Sequence, residues 1–201
     1  MDDATGFFRS LNIFDLLVFL GLFGMFVLGY IQGAIRRLVG LLSVTFSFFL
    51  AAVLSVPVGD FLASNWTYYP KEYSVMIGFG VVFLAAVVAF ALVVQGTYKK
   101  VELFAKYPVL DEVLGGILGV CQGLLLLLFV TIILDQYFLN VPAGFDNELF
   151  FLRPFWEALN SSGTGQLIHE SVAPQFVMLF SFLLPDYIEN TYAAYLAGLG
   201  A

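Results

Sequence analysis

Apolar positions along this chain are gathered into four long runs that hold no Asp, Glu, Lys or Arg: residues 16–35, 38–59, 73–98 and 113–134, which are 20, 22, 26 and 22 residues long. Within each run the apolar character is continuous rather than alternating, which argues against the strands of a membrane β-barrel. About 20 helical residues, each rising about 1.5 Å, cross a hydrocarbon core of about 30 Å. In lipid every backbone N–H and C=O must find its partner within the segment, and that forces helix. The pattern therefore predicts an all-α integral membrane protein with four transmembrane helices, spanning about 13–32, 38–57, 74–95 and 113–134. A fifth run, 171–185, is 15 residues long, and Pro174 and Pro185 bracket its most apolar part, 176–184. It is too short to span and reads as an interfacial or re-entrant segment.

This divides the chain into a four-helix unit, 1–139, and an outward-facing tail of C-terminal interfacial helices, 140–201. In the tail, Pro154 breaks any long helix, and Ser161-Ser162-Gly163-Thr164-Gly165 reads as a loop. Pro57 falls at the expected end of the second span. Composition supports the membrane class. Hydrophobic residues are 61% and charged residues 11%, where a soluble domain has roughly 45–50% and about 25%. The mean hydropathy is +0.94. The bilayer is thus the first expected partner. The net charge of −7 argues against nucleic acid, which needs a basic face. Met1-Asp2-Asp3 lacks the basic start of a cleaved signal, so the first helix is expected to stay. Arg36 and Arg37 in the first connection, with Lys99, Lys100 and Lys106 in the third, outnumber Lys71, Arg9 and Arg153 by five to three. The positive-inside rule then places connections one and three in the cytoplasm and both termini outside.

Glycine sets the expected packing, because lipid gives helices no hydrophobic reason to associate and close backbone approach matters instead. Gly115, Gly119 and Gly123 recur every four residues on one face of the fourth helix, beside Gly116. Gly29 and Gly33 repeat that spacing at the end of the first, and Gly78 and Gly80 offer a small surface on the third. These are read as contacts within one chain, although homo-oligomerisation would use the same surfaces.

Two stretches together resemble the colicin V production (CvpA) family. The first runs from Asn12-Ile13-Phe14-Asp15 to Gly29-Tyr30-Ile31-Gln32-Gly33-Ala34-Ile35-Arg36. The second is Asp111-Glu112-Val113-Leu114-Gly115, then Gly119 and Gly123, and a leucine-rich run to Asp135. The motif residues carried over are Asp15, Gly29, Tyr30, Gly33, Arg36, Asp111, Gly115, Gly119 and Gly123. Gln32, Glu112 and Gln122 stand where the family often carries Arg. The resemblance implies a multi-pass protein of the bacterial cytoplasmic membrane. It implies an accessory or scaffold role in producing or exporting a colicin V-like toxin and in maintaining the envelope. Membrane export or envelope proteins would be its partners, and it would have no catalytic chemistry of its own.

The residues themselves point the same way. His169 is the sole histidine, so no His-Glu-x-x-His metal motif exists, and no cofactor or metal is expected. His169-Glu170 reads as an interfacial polar pair and Cys121 as a small apolar filler. Asn12 caps the first helix, and Asp15 is a first-turn carboxylate suited to the positive end of its dipole. Hydroxyls at Ser43, Thr45, Ser47 and Thr131 can bond between helices or to their own backbone. Asp111 is expected to cap the fourth helix and to meet Arg36 or Arg37. The second functional reading is a component of a small-solute or peptide transporter or channel.

Overall fold

Each of the four charge-free runs is helical over most of its described length in the computed structural model, which describes residues 12–66, 68–97, 108–141 and 148–199. The helices are α1 (Ile13–Gln32), α2 (Ala34–Asn65), α3 (Lys71–Thr97) and α4 (Pro108–Phe138). All four are long and apolar enough to cross a membrane, so this is a multi-pass membrane protein. Arg9, Lys99, Lys100 and Lys106, on which the orientation count partly rests, lie outside the described residues.

α1 keeps its expected bounds, whereas α2, α3 and α4 each run beyond theirs at both ends, α4 from Pro108 to Phe138 where 113–134 is expected. The first connection is a single residue, Gly33, and Arg36 and Arg37 belong to the opening turns of α2. Arginine is a good helix former, and its long stem lets a charged residue stay helical. At its other end α2 runs on to Asn65, which leaves Pro57 inside a 32-residue helix rather than at its end. Proline is tolerated there because neighbouring helices and local adjustment can meet the carbonyl it strands. Just beyond it, Asp60 pairs with Lys71 of α3 at 2.9 Å, with both side chains exposed. Such a surface pair contributes about 0–1 kcal/mol.

Glycines bring the helices together twice. Between α2 and α3, a Cβ added at Gly59 would lie 2.5 Å from the Val75 Cα, and one at Gly78 would lie 2.9 Å from the Gly59 nitrogen. Between α1 and α4 the contact is a longer seam, described with the site below. The hydroxyls of Ser43, Thr45, Ser47 and Thr131 each donate to a carbonyl one turn back in their own helix. They are satisfied locally and do not bridge helices.

The core is aromatic. Phe48 of α2 stacks on Phe129 of α4 at 4.1 Å, with Phe79 of α3 at 5.4 Å and Phe83 edge-on at 6.4 Å. The tail completes this cluster. It forms α5 (Leu152–Asn160), α6 (Gly163–Leu167), a π-helical turn (Ile168–Val172), α7 (Ala173–Leu179), a 3-10 turn (Ser181–Leu183) and α8 (Asp186–Leu199). The stretch expected as a loop is therefore a tight turn that opens α6: Ser162 Oγ accepts from Gly165 N at 2.9 Å. Phe176 of α7 packs on Phe48, Phe49 and Phe129. Ile188 and Tyr192 of α8 are buried in the same core as the spanning helices. Segment 176–184 is thus wedged against α2 and α4, while Met178 (81% exposed) and Phe182 (78%) face outward. With Leu17, Phe19 and Phe23 exposed along α1, that outer surface suits lipid and would be untenable in water.

The Gly33 turn generates the first prediction. Gly33 has φ 81° and ψ 166°, a conformation essentially confined to glycine that costs other residues about 1–3 kcal/mol. Gly33→Ala should lower thermal stability in detergent by at least that amount. Gly21→Ala, whose Cβ would meet nothing within 4 Å, should be neutral or stabilising by up to about 1 kcal/mol. Equal melting of the two variants would mean that the turn is not constrained.

Candidate functional site

Most of the motif residues converge at the end of the bundle that holds Gly33. The Gly33 amide donates to Gly29 O at 2.9 Å, closing α1, and the next residue begins α2. A Cβ at Gly33 would lie 2.5 Å from Asp111 Oδ2. Asp111, 3% exposed, stands in the first turn of α4. Its carboxylate therefore lies near the positive dipole ends of both α2 and α4, where negative charge is favoured. One turn on, a Cβ at Gly115 would collide with Gly29 O and come within 2.8 Å of the Gly33 carbonyl carbon. A Cβ at Gly119 would strike Met25 O, one at Gly116 the Phe26 ring, and one at Gly123 the Leu22 side chain. The glycine face of α4 thus meets α1 backbone to backbone. Tyr30, 38% exposed, lies on the outside of this seam beside Glu112.

A cleft opens on the other side of α4, between α2 and α3. Its volume is about 210 Å³, and Arg36, Arg37, Ser43 and Gln122 line it with apolar residues of α3. Arg37 is 6% exposed. Its Nη1 donates to Gln122 Oε1 at 2.9 Å, and its Nε has no hydrogen-bond partner among the described residues. The expected meeting of Arg37 with Asp111 is therefore replaced by a contact to an amide. The one-residue turn sends Arg37 to the α3 side of the bundle, while Asp111 faces Gly33. Gln32 and Gln122 both line this cleft.

The opposite end holds a second polar node. Asp135, fully buried at the end of α4, accepts from Trp156 Nε1 at 2.8 Å and from the Tyr192 hydroxyl at 2.6 Å. His169 Nδ1 lies 3.0 Å from Asp135 Oδ2, and the imidazole is 1% exposed. The imidazole thus lies against Asp135 rather than with the exposed Glu170, at ion-pair distance but without hydrogen-bond geometry, which corrects the interfacial-pair expectation. The π-helical turn rotates His169 inward while Glu170 turns out. Burial first, and then the neighbouring Asp135 charge, push the Tyr192 hydroxyl well above its usual pKa of 10.0. Nearby, Asp15 accepts from Gly163 N at 3.1 Å, from Thr164 N at 2.9 Å and from Thr164 Oγ1 at 2.6 Å. Asp15 therefore caps α6 of the tail, whereas Asn12 caps α1 itself, its Oδ1 accepting from Phe14 N at 3.2 Å. Cys121 is exposed on α4 and is not the buried filler expected of it.

Of the motif residues, Gly29, Gly33, Asp111, Gly115, Gly119 and Gly123 share the α1–α4 seam, with Tyr30 at its rim. Arg36 lies across the bundle on the cleft, and Asp15 at the far end. Sequence reasoning missed Asp135, Trp156 and Tyr192 as a group. The only signal was Asp135 itself, an acid that directly ends an apolar run.

A family model described as Colicin V production protein matches residues 14–150. No curated protein and no solved structure matches the chain.

The node at Asp135 yields the second prediction. Asp135→Leu would strand the buried Tyr192 hydroxyl and the part-buried Trp156 Nε1, at up to about 1–3 kcal/mol each. The variant should melt lower by about the sum and release the tail to limited proteolysis, with Asp135→Asn intermediate. Wild-type protease resistance in Asp135→Leu would show that the node does not hold the tail.

Proposed function

The chain belongs to the colicin V production protein family, and on that premise we propose that it acts as a non-enzymatic accessory or scaffold protein. As a family member it is a membrane protein linked to colicin V production. In this reading it sits in the bacterial cytoplasmic membrane, supports toxin biosynthesis or secretion, and helps maintain the envelope. Its partners would be export or envelope proteins. The Gly33 end would face the cytoplasm and both termini the outside, in keeping with the Lys and Arg distribution.

The observation that carries the scaffold reading over transport is the filled interior. Phe48, Phe79, Phe83 and Phe129 are 0–4% exposed and pack ring on ring where α2, α3 and α4 meet. A conduction path usually shows intramembrane charge or broken helices at its centre. Here the midsection is closed by side chains that would have to leave their packing to admit a solute.

The test uses a bacterial strain that carries a colicin V-type toxin plasmid and lacks this protein. Secreted toxin should fall and should return when the wild-type chain is supplied. The purified protein in liposomes should give no solute flux above that of empty vesicles. A reporter fused at Ala201 should be active only outside the cytoplasm. Robust, solute-selective flux would replace the scaffold reading with transport, and unchanged toxin output would remove the link to secretion for this chain.

A further inference from the structure

Arg37 is a poor fit to its surroundings as they stand. A guanidinium taken out of water is costly unless it is paired and fully hydrogen-bonded. This one is 6% exposed, lines a cleft of about 210 Å³ and has an Nε without a partner among the described residues. The contact it does make, to Gln122 Oε1, is to a neutral amide, and no carboxylate among the described residues pairs with it. Arg36 lines the same cleft and adds a second cation. The bond from Arg37 occupies the Gln122 oxygen, which leaves its NH₂ as a further donor. Of the described residues, the acids of this end lie on the α1 side of α4, with Asp111 against Gly33 and Glu112 against Tyr30.

We propose that this cleft between α2, α3 and α4 binds a phosphate-bearing anion, the headgroup of an anionic phospholipid. Two arginines present planar forks that match phosphate oxygens in pairs, which a lysine could not do. The size is adequate. A single water needs only about 10–15 Å³ of such space, so 210 Å³ admits a much larger group. Membership of the lipid class follows from the walls. Val87, Phe90, Ala91 and Val94 of α3 form the apolar side of the cleft, and Ala91 is exposed. Leu84, Val88 and Leu92 continue that helix as an exposed apolar surface along which acyl chains can lie. Basic pockets between membrane helices are suited to acidic headgroups for this reason. The site is independent of the scaffold reading, since it needs only the cleft and its two guanidinium groups.

The experiment uses the purified full-length chain in a neutral detergent. It is titrated separately with phosphatidylglycerol, phosphatidylcholine and inorganic phosphate, while thermal unfolding is followed and retained lipid is read by native mass spectrometry. Phosphatidylglycerol should be retained and raise the melting temperature, and phosphatidylcholine should do neither. Arg37→Gln and Arg36→Gln should each weaken phosphatidylglycerol binding by about tenfold or more, the loss of one charge-assisted contact. Ala91→Trp, which keeps both arginines and obstructs the cleft wall, should do the same. If Arg37→Gln fails to fold, the other two variants decide. Displacement of the lipid by inorganic phosphate, with an equal thermal shift, would uphold the anion site and assign its source to solution. Equal stabilisation by the two lipids, or wild-type phosphatidylglycerol affinity in both Arg36→Gln and Ala91→Trp, would overturn the proposal.

Discussion

The rest of this structure depends on the approach of α1 to α4 at backbone distance. The carbonyls of Gly29 and Met25 occupy the space that side chains at positions 115 and 119 would need. In lipid, helices gain no hydrophobic drive from touching one another, so this approach is favoured through dispersion and dipolar contact that only small residues permit. Once it is made, the other features of that end follow. The chain must reverse within one residue, and Gly33 does so at a positive φ that other residues avoid. Asp111 is brought to the turn, where two helix dipoles favour its charge. Because α2 starts at once, Arg37 is carried into the bundle on the far side of α4, where Gln122 meets it.

At the opposite end, carboxylates do the joining. Asp15 and Asp135 stand at the ends of α1 and α4 away from Gly33, and both accept hydrogen bonds from the tail. Phe176 inserts against the rings that close the midsection. The tail is therefore bound to the spanning helices through these two polar nodes, through further hydrogen bonds such as Ser55 with Tyr187 and Leu149 N to the Tyr73 hydroxyl, and through several aromatic contacts, and it shares their core. In the proposed scaffold reading, a unit held in this way would present a fixed face to its partners.

The four spans were legible because the cost of charge in lipid writes itself into the sequence as charge-free runs. The four-residue recurrence of Gly115, Gly119 and Gly123 was legible as a common face. Helix ends were harder. Arg36 and Arg37 look like loop residues by charge, yet their stems let them remain helical. Pro57 looks like a terminus, yet α2 continues past it. The Asp135 group could not be read, because Asp135, Trp156, His169 and Tyr192 come from separate elements whose meeting is decided by how the tail folds back. Asp15 looked like an ordinary first-turn acid, and its bond to Thr164 crosses 149 positions of sequence.

The separation of α1 from α4 tests this account most directly. Spin labels at Phe23 and Ile117, both exposed, on a Cys121→Ser background, would report it by pulsed dipolar spectroscopy in lipid nanodiscs. The account predicts one narrow distance distribution in a chain that keeps Gly119, and a longer or broader one as Gly119 becomes Ala, Val and then Leu. A distribution unchanged across that series would contradict it, because the two backbones would then not be in contact through the glycine face.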